Sequence, residues 1–208
     1  EAYALLKAYG ISTAPYEVVA SPAEAEAAAQ ALGYPSVLKV SEADILHKSD
    51  IGGVVVGLQA NDRIDTAYAE MIARVRTRHP SAARAIVARQ VSGLELFAGL
   101  KRDPHFGPVV LVGIGGVFVE VLGDIAFRLA PFSRESAVAL LRSLHGAPLI
   151  FGTRGRAAAN VDAMADVLLN LGRLGIDHPE IVEIDLNPVF VDRDAATVAD
   201  ARVIVGNP

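Results

Sequence analysis

The spacing of apolar residues changes repeatedly along this chain of 208 residues, and that alternation limits its fold more than any other feature. Ile64, Ala67, Tyr68, Met71, Ile72 and Val75 recur at helical spacing, and so do Val161, Met164, Val167, Leu168, Leu171 and Leu174. Between such stretches lie short apolar runs with strand character: Ser36 to Val40, Val54 to Leu58, Ala85 to Val91, Leu94 to Leu100, Val109 to Val112, Val117 to Leu122 and Ile125 to Leu129. Ser92-Gly93 reads as a turn, and Gly123-Asp124 turns the last pair of these strands. Ile181 to Leu186 and Thr197 to Val203 are expected to close the chain as an antiparallel pair. Helices and hairpin strands are intermixed without a strict strand–helix–strand repeat, so the expected class is α+β.

Helix ends are marked just as clearly. A helix from Ala2 to Tyr9 is expected to stop at Gly10, a residue suited to a left-handed cap. Ser21-Pro22-Ala23-Glu24 combines a capping box with Pro at the first helical position, and Gly33-Tyr34-Pro35 ends the helix it opens. Ser133 is expected to cap a helix reaching about His145-Gly146, and Asn160 another. A change of subdomain near Ala85 divides the chain into residues 1–84 and 85–208.

Composition excludes several classes. Apolar residues make up 52% and no run approaches the roughly 20 residues that cross a bilayer. Net charge is −5 with Lys and Arg scattered, which argues against a nucleic-acid surface. With no Cys there is no thiolate metal site or disulfide, which fits the cytoplasm, and no secretory signal is visible. Beginning at Glu1, the chain is expected to be a piece of something longer.

Any anionic ligand must therefore meet a local site. The polar stretch from Ser41 to Gly53 follows Lys39 and joins two expected strands. Its paired Gly52 and Gly53 could bring backbone N–H groups close to phosphate, with Lys48 and Ser49 beside them; the bland alternative is a polar hairpin loop. It is no Walker A loop, because no Gly-Lys-Ser/Thr opens a helix. Gly113-Ile114-Gly115-Gly116 is no dinucleotide fingerprint either, since period-two residues follow where a helix must open. The most informative segment is Ile181-Val182-Glu183-Ile184-Asp185-Leu186-Asn187-Pro188. On a strand, Glu183, Asp185 and Asn187 share one face, and a return near Asp192-Arg193-Asp194 brings Asp200 beside Asn187. Two carboxylates about 4 Å apart repel by roughly 4 kcal/mol at an effective dielectric of 20, so such a cluster calls for a cation; otherwise this is a solvent-facing edge. Oxygen donors with few carboxylates suit Mg²⁺ shared with substrate phosphates. The histidines offer no pair at metal-ligand spacing, and no serine nucleophile elbow is present.

Taken together, Val37-Leu38-Lys39-Val40, His47-Lys48-Ser49-Asp50-Ile51-Gly52-Gly53-Val54, Lys101-Arg102-Asp103-Pro104-His105-Phe106-Gly107-Pro108, Gly115 to Leu122, Phe127-Arg128-Leu129-Ala130-Pro131 and Asp185-Leu186-Asn187-Pro188-Val189 resemble one family. They look like the ATP-grasp part of NDP-forming acyl-CoA synthetases, the group containing ADP-forming acetate–CoA ligase and related to succinyl-CoA synthetase beta chains. The match runs in order over essentially the whole chain. The resemblance implies an ATP-grasp fold of two α/β subdomains clamping ATP or ADP, with the phosphate loop in the first and the adenine, ribose and Mg²⁺ sites in the second.

It further implies that Lys39 contacts phosphates and that the loop with Lys48, Ser49, Gly52 and Gly53 folds over them. Adenine would lie against Arg89, Gln90 and Val91, and Glu95 would hold the ribose. Asn187 and Asp200 would ligate Mg²⁺, with Asp185 a third. Glu120 and Arg128 would face the cleft, and His47 would take up phosphate during transfer, as a histidine there does in some members. The implied chemistry is phosphoryl transfer between ATP and a phosphohistidine, linked to interconversion of acyl-CoA with carboxylate plus CoA. It requires a CoA-binding, His-bearing partner domain or subunit, so the chain would be a separate subunit or part of a fused enzyme. The alternative is a nucleotide-binding regulatory module of a fused bacterial protein-lysine acetyltransferase; a carboxylate–amine ligase ranks below both.

Overall fold

A computed structural model describes residues 1–42, 45, 48–116, 123–153 and 157–206. By its internal contacts the chain divides into Ala14–Gln90 and a second unit made of Glu1–Thr13 with Val91–Pro208. The expected boundary at residues 84 and 85 is therefore displaced. The strand at Ala85–Arg89 hydrogen-bonds inside the first unit, and the N-terminal helix belongs to the second.

In the first unit, β1 (Tyr16–Val19), α2 (Pro22–Leu32), β2 (Ser36–Val40), β3 (Val54–Leu58), α3 (Ile64–Arg76) and β4 (Ala85–Arg89) follow in order. The strands form an antiparallel sheet in the order β1-β4-β2-β3. Ile64, Tyr68, Met71, Ile72 and Val75 of α3 are buried with Ala25, Ala28 and Ala29 of α2 over Leu38, Val40, Ala85 and Val87. The Ser21 hydroxyl accepts from the Glu24 N–H at 3.2 Å while the Glu24 carboxylate accepts from Ala20 at 2.8 Å, so the box closes one residue earlier than expected. β1 carries only four residues and pairs at the sheet edge with β4, far along the chain; its local sequence did not announce it.

The second unit begins with α1 (Ala2–Ala8). Gly10, at φ +74°, and the Ile11 N–H bonded to the Leu6 carbonyl at 2.9 Å end it as expected. It continues with β5 (Leu94–Asp103), β6 (Gly107–Ile114), β7 (Ile125–Leu129), α4 (Arg134–Arg142), α5 (Ala147–Phe151), α6 (Val161–Asp177), β8 (Ile181–Val191), β9 (Ala196–Val198) and β10 (Ala201–Val205). The sheet runs β10-β8-β5-β6-β7, with β9 on the far end of β8. Ser92-Gly93 therefore does not turn a hairpin: β4 and β5 lie in different sheets. The strand expected at Val117 to Leu122 lies outside the described residues. Thr197 to Val203 is not one strand but two, broken at Ala199-Asp200.

α6 buries Met164, Val167, Leu168, Leu171 and Leu174, the residues its period selects, against β5 and β6. Gly175 lies so close to Leu100 and Pro108 that a Cβ would collide with both, which lets helix and sheet approach. Arg102 ties off the helix end. Its guanidinium donates to the carbonyls of Gly175, His178 and Ile181, the last two at 3.0 Å each. The Gly175 and His178 carbonyls at the helix end have no partner within the helix itself. Arg102→Met is expected to lower the stability of the chain by about 2 kcal/mol, read as a shift in denaturant midpoint with an unchanged slope.

Asp124 is the second such fastener. Its buried carboxylate accepts the N–H groups of Gly146 at 2.7 Å and His145 at 2.8 Å. Burial pushes this carboxyl up, but the backbone N–H groups and the His145 ring outweigh it and hold it below the ordinary value. A depressed folded value means the stabilisation is fully present above the unfolded pKa of about 3.9 and is lost as pH falls through the folded one. The unfolding midpoint of the unmodified protein should therefore fall more steeply on acidification below about pH 4 than that of Asp124→Asn, measured by denaturant titration at several pH values.

No helix among the described residues is long and apolar enough to cross a membrane.

Candidate nucleotide and cation site

Lys39 stands on β2, opposite Val54 of β3 and Ile86 of β4. Alternation along the strand puts it on the face away from Leu38 and Val40, which α2 and α3 cover. It is nevertheless only 5% exposed. An ammonium on a central strand, held from both sides, gives an anion a fixed and poorly hydrated partner.

The loop after β2 is fastened at both ends. The Glu42 carboxylate accepts the N–H groups of Ala83 and Arg84 at 3.0 Å each, and the Ser41 N–H bonds the Arg84 carbonyl at 2.9 Å. At the far end the Gly53 N–H donates to Lys48 at 2.8 Å and the Gly52 N–H to Ser49 at 3.0 Å. Gly52 has φ +66°, and a Cβ on Gly53 would lie 2.7 Å from Val40. Glycine is needed here for the turn itself. The expectation that this pair offers free N–H groups to a phosphate is corrected: both are spent inside the turn with Lys48 and Ser49. Arg74 of α3 adds a bond to the Gly52 carbonyl at 3.0 Å. His47 lies outside the described residues, as does Glu120.

After β4, the Arg89 N–H donates to Pro15 at 3.0 Å and the Gln90 N–H to Pro35 at 2.9 Å, while the Gln90 side-chain oxygen accepts from Gly57 at 2.8 Å. A ligand edge along Arg89, Gln90 and Val91 would thus meet carbonyls and the Val91 N–H rather than the other two N–H groups. Glu95 is the second residue of β5, and two glycines pack against it: a Cβ on Gly115 would lie 2.8 Å from the Glu95 Cγ, and one on Gly116 3.3 Å from its carboxylate. Its carbonyl accepts the Gly115 N–H at 2.8 Å.

The acidic strand is built as its alternation predicts. Ile184 and Leu186 are buried, Glu183 and Asp185 half-buried, and Asn187 exposed. Beyond Asn187 the buried positions become Val189 and Val191, because the β5 pairing jumps from Leu96–Val189 to Ala98–Leu186 and leaves an extra residue on β8. That bulge re-aims the strand at Asn187-Pro188. The Asn187 N–H donates to the Asp200 carbonyl at 3.2 Å, so these two residues face each other across the strand pair. Asp185 is paired with Arg202, whose guanidinium reaches Glu183 at 2.6 Å.

The donor set is all oxygen and suits a hard cation. Two carboxylates and an amide are too few to hold it alone, and among the described residues no group of three or more His, Cys, Asp or Glu could do so. The fit is to a cation that substrate phosphates help to ligate. Arg128 is not brought to this face. It pairs with Val110, on the side of β6 that α6 covers, while Phe127 and Leu111 stand on the other.

Residues 1–205 match the ATP-grasp domain family. The chain belongs to that family. This ATP-grasp chain is 43% identical to ADP-forming acetate–CoA ligase I of Archaeoglobus fulgidus over 99% of its own length, but spans only 30% of that relative. It is 38% identical to the beta subunit of ADP-forming acetate–CoA ligase I of Pyrococcus furiosus, covering 99% of this chain and 90% of that subunit. Dinucleotide forming acetyl-coenzyme A synthetase 1 of Ca. Korarchaeum cryptofilum, in complex with coenzyme A, Ca-AMPCP and HgCl+, aligns with a TM-score of 0.92 at 38% identity, covering 99% of this chain and 91% of that one. A second structure of that synthetase, with coenzyme A and Mg-AMPPCP, has its phosphohistidine segment pointing towards the nucleotide binding site; it aligns at a TM-score of 0.82 with 36% identity, over 96% of this chain and 88% of that one.

Proposed function

We propose that this ATP-grasp chain is the nucleotide-binding part of an ADP-forming acid–CoA ligase. In that role it exchanges phosphate between ATP and a histidine of a CoA-binding partner domain or subunit. The observation that carries the reading is the backbone pairing of Asn187 with Asp200, with Asp185 two residues before Asn187 on the same strand, in a chain whose relatives are ligases of this type. The free-standing beta subunit among them favours this over the regulatory-module alternative. A cytoplasmic setting belongs to the same reading.

The terminal phosphorus of ATP leaves its bridging oxygen and forms a bond to an imidazole nitrogen of the partner, releasing ADP. Lys39 binds a phosphate and offsets its charge, which matters most where water is excluded. Asp200, Asn187 and Asp185 would hold Mg²⁺, which supplies further charge neutralisation when bound. Glu95 accepts from ribose hydroxyls, and the stretch from Arg89 to Val91 takes the adenine edge. Lys48 and Ser49 bring side chains to the phosphate end of the loop, where His47 is proposed as a phosphate acceptor. Nothing in its placement gives Arg128 a part.

Calorimetric titration with Mg-ATP tests the reading. The unmodified chain should bind, and Asp200→Ala should lose the dependence of binding on Mg²⁺. Absence of heat from the unmodified chain would sink the proposal. Loss of ATP-dependent labelling in His47→Ala with the partner present would separately test that histidine.

A further inference from the structure

We propose that Tyr3, on the first helix, is a positioning residue for the cation site, its hydroxyl holding the carboxylate of Asp200. The inference rests on the reading of Asp200 as a metal ligand. Asp200 sits where β9 gives way to β10, and the main chain there is fixed by three bonds. The Val198 N–H donates to Ser12 at 2.9 Å, the Ala199 N–H to Pro188 at 2.9 Å, and the Asp200 carbonyl accepts from Asn187 at 3.2 Å. Thr13 adds a parallel bridge to Val198. None of these sets the rotamer of the Asp200 side chain.

Tyr3 does. Its hydroxyl lies 3.2 Å from the Asp200 Oδ1 and 3.1 Å from the Ala199 carbonyl, across 197 residues of sequence. The phenol is 8% exposed and fixed with Leu6 on the buried side of α1. It has one proton for two acceptors. Donated to Oδ1, that proton restricts the orientation of the carboxylate. Donated to Ala199, it satisfies a carbonyl instead. Groups standing behind a metal ligand in this way orient it before the metal arrives. A residue that merely filled the core would need the ring and not the hydroxyl.

Tyr3→Phe keeps the ring and removes the bond. ATP is titrated into the 208-residue chain at a series of Mg²⁺ concentrations, for the unmodified protein, Tyr3→Phe and Asp200→Ala, with thermal unfolding measured in the absence of Mg²⁺. Tyr3→Phe should raise the Mg²⁺ concentration for half-maximal effect by about tenfold, with ATP affinity restored at saturating Mg²⁺. A lower melting temperature with an unchanged Mg²⁺ midpoint would show a structural role alone and overturn the proposal. If Asp200→Ala retains the Mg²⁺ dependence, the ligand assignment fails and takes this inference with it. If the unmodified chain does not bind Mg-ATP, the nucleotide reading itself fails. A second measurement needs no variant: adding Mg²⁺ to the ATP complex of the unmodified chain should shift the near-ultraviolet absorption of a buried tyrosine, and a flat difference spectrum also overturns the proposal.

Discussion

Lys39→Ala should bind Mg-ATP about ten- to a hundredfold more weakly than the unmodified chain, with little change in melting temperature. The lower bound follows from losing one hydrogen bond to a charged group, about 1.5 kcal/mol, and the upper from about 3 kcal/mol. The large end is favoured by where Lys39 sits. β3 and β4 flank it, so its backbone cannot drift, and its side chain has almost no exposure to bulk water. A lysine waving from a loop would lose much less. Folding should be spared because the apolar cluster under α2 and α3 is built from the other face of the strand, by Leu38 and Val40. Calorimetry with Mg-ATP reads the affinity, and a thermal melt checks the fold. Affinity equal to that of the unmodified chain would remove Lys39 from the phosphate site.

The largest expected stability effect is Leu168→Ala, at about 2–5 kcal/mol. Leu168 is fully buried on α6, between Met164 and Leu171 on one stripe. Close approach of helix and sheet at Gly172 and Gly175 leaves its neighbours little room to collapse into the space. The cavity term should therefore be retained rather than relaxed away. Because α6 belongs to the unit formed by Glu1–Thr13 and Val91–Pro208, denaturant unfolding followed by hydrogen exchange should lose protection there first, with the amides of Ala14–Gln90 less affected. Equal loss in both units would show that they unfold as one.

Legibility in the sequence followed the range of the interaction. Caps were readable because they are local: Ser21, Ser133 and Asn160 all accept from the residue three positions on. The faces of α3, α6 and β8 were readable because burial imposes a period. What failed depends on partners distant in sequence. β1 acquires strand character only by meeting β4, and nothing in Ser92-Gly93 says that the strands on either side join different sheets. In the candidate site, the placement of Asp185 and Asn187 on one strand and of Asp200 opposite Asn187 was readable because alternation and one return turn suffice for it. The role of Gly52 and Gly53 was misjudged because their N–H groups could serve a ligand or their own turn, and sequence cannot distinguish these. Arg102 and Tyr3 were missed as contributors. Each acts across the fold, one on a helix end and the other on Asp200, and neither leaves a local pattern.

The unit Ala14–Gln90 is inserted in the chain between Thr13 and Val91, and its own two ends lie together. Tyr16 pairs with Ala88, and the Arg89 N–H reaches back to Pro15, so the first and last strands of the insert run side by side. In genetic terms it is a cassette. Removing residues 14–90 and joining the flanks with a short link would keep α1, the Ser12–Val198 bond and the Asp200 connection in one molecule. Trimming the first thirteen residues would do the opposite. It would leave residues 14–90 intact and strip the C-terminal sheet, far along the sequence, of its support.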